Sequence, residues 1–586
     1  MVFIVNSGLE KKYLKNKKKI AVDSSSYFSH NSNNDIKLNS FFWNKLKNTE
    51  EFSAYIKYLT NKIFPSLCKN LNHLHGINFS QKTWNIIINP WLNSYLESTY
   101  FRWKLVESII KKNKIINLIY FNNLNILPII DLRESKDNFF YSDYYNQFIL
   151  QRVWKFFKYK QKKKINFFFK NEYLRNNYDY LNFKKKNKLR LAQIIDFFSA
   201  FIFGKQKYFI SLNIGKIDYF KLCFKIKTFP LKGIFWFRNQ AFFKFYKKKI
   251  KNDNNLRNQI KIDYKLKNDF EKFLLEHFNN DIPQILIEKF KEIMLHVKSI
   301  PLNPKIIVND NFYIGSSIFK FWLASKLENE SKFIPVDHGG LYGNGKRSLH
   351  YEDQISDTVI KWHKPTKSNQ VQLPVLHFRN FFNKRNLIQN REKILFISHD
   401  GPKYPKLFNT GPLSEQWIDQ YNMIKKFYLG LNKNIQNAFF LRPYLFLNND
   451  WWLKKRLIKF FGEKKIIINN TEYFNLIKKS KLTVCAYPKT AFLQSIISGP
   501  TILIFDKKFY NETKRNKFFL NNLKKSKIFF DNSKEAYIHI NKIWNNLDDW
   551  WQSKEVIKTR NIFISEYMSQ SENPLEIWSS FLKTKK

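Results

Sequence analysis

Apolar and polar positions along this chain follow two different periods, and the change comes near Pro304. Before it, the dominant spacing is helical. Residues 51–113 predict one helix ending near Gly76 and a second capped by Ser80. The second carries Trp84, Ile87, Ile88, Trp91, Leu92, Tyr95 and Leu96 on one face, with a kink at Pro90. Residues 1–50 are polar apart from a strand-like patch at 20–22. Two strand-like pieces lie within 115–130, and the chain turns helical by 143–150. Residues 154–190 alternate Lys runs with Phe and Tyr, which predicts an amphipathic, surface-facing helical insert. Residues 191–300 continue mostly helical, with breaks at Pro230 and Pro283, and no repeat of solenoid period is present.

After Pro304 the texture alternates. Strand 305–308, helix 316–327 and strand 333–336 lead into a glycine-rich loop, followed by strand 358–362. A polar, basic stretch at 374–391 suits a linker. A second run then predicts strands at 393–397, 438–442, 465–469, 482–486 and 501–505 with helices between them. Thr490 is expected to cap the helix that precedes Ser498-Gly499-Pro500. The fold class that follows is α/β, with two Rossmann-like domains after a large, mostly helical N-terminal region. The expected divisions are 1–190, 191–380 and 390–586.

Charge changes this picture only partly. The formal net charge is +54, and 18% of the 586 residues are aromatic. A surplus of that size points towards nucleic acid or an anionic membrane. Lys, Asn, Ile and Phe are inflated together, however, as an AT-rich genome produces, so part of the charge is read as mutational bias. No nucleic-acid motif accompanies it, and nucleic acid is not an expected partner; peripheral contact with an anionic membrane surface is. Cys68, Cys223 and Cys485 are too sparse for a disulfide framework or a zinc site, which suits a reducing cytoplasm. The amino end has too short an apolar run for a secretory signal, and no stretch reaches the ~20 apolar residues of a membrane helix.

Candidate chemistry gathers where strands end. His338 follows a strand and precedes Gly339 and Gly340, with Gly343 further along the same loop. Glycines let backbone approach a ligand closely, and an imidazole can move a proton near neutral pH. Three roles stay open for His338 on its residues alone: general base, phosphate contact, or a structural residue of a turn. Asp357 is a candidate to orient it or to act itself. Arg442 ends a strand where it could pair with a phosphate, and Lys489 and Thr490 complete a cradle. Gln494, one turn after Thr490, could reach a ribose. Ser398 and His399 form a further polar strand end. His75 and Arg102 are polar oddities in the helical region, for which a packing role and a place on an acceptor side are both open. Phosphate-loop, dinucleotide-loop and nucleophile-elbow motifs are missing, as is an Asp-x-Asp pair for a divalent metal. No metal and no cofactor are therefore expected.

Several segments taken in order resemble a family of transferases encoded in bacterial surface-polysaccharide clusters. They are LNHLHGINFSQKTWNIIINPWL, Tyr100-Phe101-Arg102-Trp103, Ser142-Asp143-Tyr144-Tyr145-Asn146, VDHGGLYGNG with ISD downstream, ISHDGP, Leu441-Arg442-Pro443, YPKTAFLQSIISGPTIL and Asp549-Trp550-Trp551. The resemblance implies a glycosyltransferase of the two-domain GT-B type, its nucleotide-sugar donor on the carboxyl-terminal half and a glycan or glycolipid precursor as acceptor. The His-Gly pair is also similar to that of polyol-phosphate and capsule polymerases, where the histidine is the base. A CMP-activated acidic sugar is the expected donor by analogy. A polyol phosphate or a UDP- or GDP-sugar is the alternative, and a non-catalytic nucleotide- or glycan-binding protein is another. The chain departs from the family pattern at Asp337, Pro488, Lys489 and Gln494, where the family has Gln, Asn, a small residue and Glu.

Overall fold

The computed structural model describes residues 1–30, 36–38, 46–125, 128–160, 164–171, 174–175, 191–238, 250–339, 351–378, 391–399, 401–405, 411–413, 416–443, 453–467, 473–510 and 512–585. Its described strands are β1 (Val2–Val5), β2 (Lys18–Ala21), β3 (Ile36–Leu38), β4 (Ile115–Phe121), β5 (Leu124–Asn125), β6 (Lys164–Lys170), β7 (Leu174–Arg175), β8 (Tyr208–Ser211), β9 (Ile306–Asn309), β10 (Lys332–Pro335), β11 (Val359–Lys361), β12 (Gln370–Gln372), β13 (Lys393–Ile397), β14 (Phe439–Arg442), β15 (Ser480–Cys485), β16 (Thr501–Ile504) and β17 (Phe529–Phe530). Every pairing among them is parallel. The fold is mixed α/β with parallel sheets.

The carboxyl-terminal sheet runs β14-β13-β15-β16-β17, with a bridge from Leu441 to Ile466 extending its β14 edge. Counting that bridge, the order is the reversing one of a doubly wound nucleotide fold. Its strands are continuous apolar runs because helices cover both faces. Of the predicted strand at 465–469, Ile466 makes that bridge, and 468–469 lie outside the described residues. The middle sheet is β10-β9-β8, and the bridge from Val336 to Ile360 joins it to β11 and β12.

A third parallel sheet, β3-β2-β1-β4-β6, lies within the amino-terminal region. That region was expected to be mostly helical; its long helices Leu46–His75 and Gln81–Lys112 are present, yet they accompany a doubly wound sheet. The insert also differs. Residues 164–170 form the edge strand β6, paired along its length with β4, and not a helix. A short apolar run between lysines satisfies either period, and the open edge of β4 decides it. Residues 176–190 of that insert lie outside the described residues.

Helix Gln81–Lys112 passes through Pro90 unbroken, with Ser80 Oγ accepting the Thr83 N–H at its start. Proline cannot donate to the Ile86 carbonyl four residues back. The Tyr351 hydroxyl donates to that carbonyl instead, at 2.9 Å. Tyr351 belongs to the middle unit, so the helix flaw becomes a joint between units. One hydrophobic cluster accordingly spans both, from Ile4 through Trp84, Trp91, Trp154, Phe209 and Trp322 to Leu413. The division expected at 190 separates no core. At the other end, helix Pro574–Lys583 returns to the middle unit, where Trp578 Nε1 donates to the Pro374 carbonyl at 2.8 Å. Of the expected linker, 374–378 is packed, with Phe378 buried, and 379–390 lies outside the described residues.

Candidate functional site

The carboxyl ends of the middle and carboxyl-terminal sheets meet. Gly339, four residues past the end of β10, has φ of +113°, and a Cβ there would lie 2.7 Å from Thr490 Oγ1 and 3.1 Å from Trp362 Cη2. A side chain would be strained at that φ and blocked in that direction, so only glycine lets the two loops touch. His338 is the preceding residue and is exposed. It interacts electrostatically with His377, which burial holds down at about 4. His377 Nε2 lies 3.5 Å from Asp310 Oδ2, at the carboxyl end of β9. Burial pushes the Asp310 carboxyl up to about 6, although it accepts the Asn213 N–H at 2.7 Å. His338 thus stands near the half-buried His377, which approaches the buried Asp310.

Asp337 has a different task. Buried itself, it accepts from Lys361 Nζ and from the Trp362 N–H, each at 3.2 Å. These bonds fasten the His338 loop to β11 and set the Trp362 indole under Gly339. A neutral glutamine there would leave Lys361 less well matched.

On the opposite wall, four strand ends converge. The Ser398 N–H donates to the Arg442 carbonyl at 3.1 Å, joining the ends of β13 and β14. The Arg442 guanidinium sits 5.3 Å from the Tyr473 ring centroid, and partial burial lowers its pKa. That ring in turn is fixed by its hydroxyl, which donates to the Ala491 carbonyl at 3.0 Å. His399 stacks on Tyr487 at 4.7 Å, and its Nδ1 lies 3.1 Å from the Tyr510 hydroxyl. Burial, with the Lys489 ammonium second, drives the His399 pKa well below its usual value, so the imidazole is neutral. Lys489 also faces Glu512, a carboxyl that burial raises to about 7. The crevice wall can therefore offer cations and neutral donors to an anion without a fixed negative charge below neutral pH.

The helix after β15 is shorter than the spacing predicts and starts differently. It covers Thr490–Ile496, and Lys489 occupies the cap position with no side-chain bond to the helix N–H groups. Thr490 is its first residue, not its cap. The Thr490 hydroxyl faces Gly339 across the crevice. Gln494 is half-buried one turn on.

Three expected residues lie elsewhere. Asp357 precedes β11, while His338 follows β10; in parallel strands those are opposite ends of the sheet. Its side chain is 93% exposed and pairs with Lys82 at 2.8 Å. Asp357 cannot orient His338. The His75 ring stacks on Phe290 at 3.9 Å and its Nε2 bonds the Leu286 carbonyl, which is packing. Arg102 is buried, with Nε donating to Asn146 Oδ1 at 2.8 Å and a terminal nitrogen to the Phe139 carbonyl at 2.9 Å. Its guanidinium lies 5.2 Å from the Tyr404 ring centroid, so it docks a carboxyl-terminal loop. Gly340 and Gly343 lie outside the described residues.

The sequence reading passed over Asp310, His377, Tyr510 and Glu512. Asp310 carries a usable signal, an acid directly after a predicted strand. His377 and Glu512 carry none, because one sits in a three-residue 3-10 turn and the other in a loop, neither long enough for a periodic signature.

The chain matches the family described as LIC12162 family transferase over residues 2–582, and it belongs to that family. No curated protein matches it. Among solved structures it is similar to TarM, at 17% identity over 47% of this chain and 54% of that one, with a TM-score of 0.30. The chain thus spans about half of TarM. It is similar to MurG of Acinetobacter baumannii at 10% identity over 51% and 78%, TM-score 0.30, and to the wall teichoic acid polymerase TagF at 11% over 50% and 84%, TM-score 0.30. Overlaps this low carry no argument about the chemistry of this chain.

Proposed function

We propose that this member of a transferase family moves a sugar from a nucleotide-activated donor to a precursor of a surface glycan, either polysaccharide or glycolipid. The single observation that carries the reading is the approach of Gly339 to Thr490, which makes one crevice from the carboxyl ends of two parallel sheets. Open α/β sheets bind nucleotides at such ends. His338 is the base that takes the proton of the acceptor hydroxyl as it attacks the anomeric carbon. The glycosidic bond to the donor phosphate breaks, and the phosphate leaves with the bonding electrons. Arg442, Lys489 and Thr490 stabilise that charge, and Gln494 holds the ribose. Asp310 and His377 position His338. Ser398 and His399 line the donor side, the neutral ring of His399 offering a stacking and hydrogen-bonding surface. We assign the donor to the CMP-activated acidic sugars, for which a cationic crevice is suited, and the working place to the inner face of the cytoplasmic membrane.

A nucleotide panel tests this reading. CMP is expected to raise the melting temperature of the pure protein more than CDP, UDP or GDP, because a ligand that binds only the folded state stabilises it. A larger shift with UDP or GDP moves the donor to that class. No shift with any nucleotide removes the reading.

A further inference from the structure

Helix Leu191–Phe203 wears its hydrophobic stripe on the outside. Leu191, Ile194, Ile195, Phe198, Phe201 and Ile202 recur at helical spacing, and all are exposed, Phe198 to 62%, Phe201 to 60% and Ile202 to 73%. The opposite side is already satisfied. Asp196 accepts the N–H groups of Lys232, Gly233 and Phe235, Ala200 is fully buried, and Phe197 stacks on Trp236 at 5.3 Å. The helix therefore leaves an apolar outer face uncovered while its other side, which carries Asp196 and Ser199, is packed. Solvated surface helices are instead polar on the side away from the core. A second stripe repeats the pattern on helix Lys216–Lys225, where Ile217, Phe220 and Phe224 are exposed, the last to 85%. The two helices lie either side of edge strand β8 in sequence and pack against different cores.

Charge near the stripes is mostly positive, although the exposed Glu576 of helix Pro574–Lys583 pairs with Lys225. Lys205, Lys207, Lys216, Lys221 and Lys227 are all exposed. Of the acids in 191–227, Asp196 is buried in the contacts above and Asp218 is half-buried. Like charges on such a face oppose a second copy of the chain and favour an anionic surface. The helix has 13 residues, so it is about 20 Å long, short of the ~30 Å hydrocarbon core of a bilayer. Among the described residues no helix is long and apolar enough to cross a membrane.

We propose that the outward stripe of helix Leu191–Phe203, with the exposed Lys205 and Lys207 at its carboxyl end, lies in the interface of an anionic lipid bilayer and seats the enzyme there. Phe198, Phe201 and Ile202 enter the acyl boundary, and the lysines meet phosphate headgroups, as an interfacial amphipathic helix does. This locates the membrane placement proposed above, and it does not depend on the chemistry assigned to the crevice.

The test is co-sedimentation of the full chain with vesicles of phosphatidylcholine alone or with phosphatidylglycerol added. The wild-type protein is expected to bind the anionic vesicles and to bind neutral ones at least about tenfold more weakly. The variant F198S/F201S/I202S should lose binding by about tenfold or more, with its melting temperature and its nucleotide shift unchanged. The variant K205E/K207E should lose binding to anionic vesicles only. Wild-type protein that ignores anionic vesicles, or a triple variant that binds them as wild type does, overturns the proposal. So does a wild-type dimer in gel filtration that the triple variant abolishes, since the stripe would then face a second copy. A failed nucleotide panel with intact vesicle binding would remove the crevice reading and leave this one standing.

Discussion

Gly339 and Thr490 face each other across the gap between two sheets, 2.7 Å being all that a Cβ on the glycine would have before meeting the threonine hydroxyl. That contact makes the ends of β10 and β15 parts of one site. Gly339→Ala is expected to lower donor affinity about tenfold and to cost roughly 1 to 3 kcal/mol of strain, since φ is +113°. The double variant with Thr490→Ala removes the Oγ1 clash but keeps the strained φ and loses the hydroxyl assigned to the donor phosphate, so its affinity should stay below that of wild type. Calorimetry with the best nucleotide of the panel measures both. Unaltered affinity in Gly339→Ala would show that the loops do not need to meet.

His338 and Asp357 should separate cleanly. His338→Ala is expected to abolish transfer with donor binding within about twofold of wild type, because a base that acts on the acceptor contributes mainly to the chemical step. Asp357→Asn should leave turnover near wild type, since an exposed ion pair such as that with Lys82 is worth about 0 to 1 kcal/mol. A large loss of turnover in Asp357→Asn would return that acid to the site.

Arg442 is expected to bind the donor diester or diphosphate through its guanidinium, held against Tyr473. Arg442→Ala should weaken nucleotide binding by about tenfold or more in calorimetry, and Arg442→Lys should restore little, because a lysine keeps the charge without the planar fork. Equal affinity in the alanine variant would reject the assignment.

Arg102 should behave as a structural residue. Arg102→Met strands Asn146 Oδ1 and the Phe139 carbonyl, both buried acceptors, and removes the platform under Tyr404. Leaving such partners unsatisfied costs about 3 kcal/mol or more. The expected outcome is a lower melting temperature with KM for the donor unchanged in whatever protein stays folded. A raised KM at full stability would place Arg102 at the site after all.

Glu512 gives a dependence on pH whose sign is fixed. Burial raises its folded pKa to about 7 from 4.5, so between those values the unfolded state has lost a proton that the folded state keeps. Stability contributed by this group therefore falls as pH rises through that window and is fully lost above it. Glu512→Gln stays neutral and can still accept from Asn516 Nδ2, as Glu512 does at 2.7 Å. The melting temperature of the variant should match wild type near pH 4.5 and exceed it increasingly up to pH 8. A constant difference across that range would mean that Glu512 titrates normally.

How much of this was legible in the chain varies with the length of the signal. The strands at 393–397 and 501–505 stand within a residue of where the pattern predicts them, because a buried run between polar turns has only one economical reading. The amino-terminal sheet was missed for the opposite reason. β1, β2 and β3 are three or four residues each, separated by polar segments and short helical turns, so no window contains a period. β6 was misassigned because KINFFFK becomes a strand only beside β4. At the candidate site, polar residues at or just past strand ends, such as His338, His399 and Arg442, are legible as candidates because the strands before them are. Asp357 was drawn in by nearness in sequence, which in a parallel sheet places it at the wrong end of its strand.

By itself the sequence determined the α/β class, the parallel strands from residue 306 onward, and the polar strand ends that line the crevice. All of these depend on contacts within a few residues or on burial averaged over a short run. Tertiary structure decided which of those ends share a space. Gly339 meets Thr490, His377 comes to His338 and Glu512 to Lys489 only when separate sheets pack, and no local pattern encodes that distance. It also decided that the apolar stripe of helix Leu191–Phe203 faces outward, since the spacing of its residues is the same whether the stripe covers a core or is left for a partner.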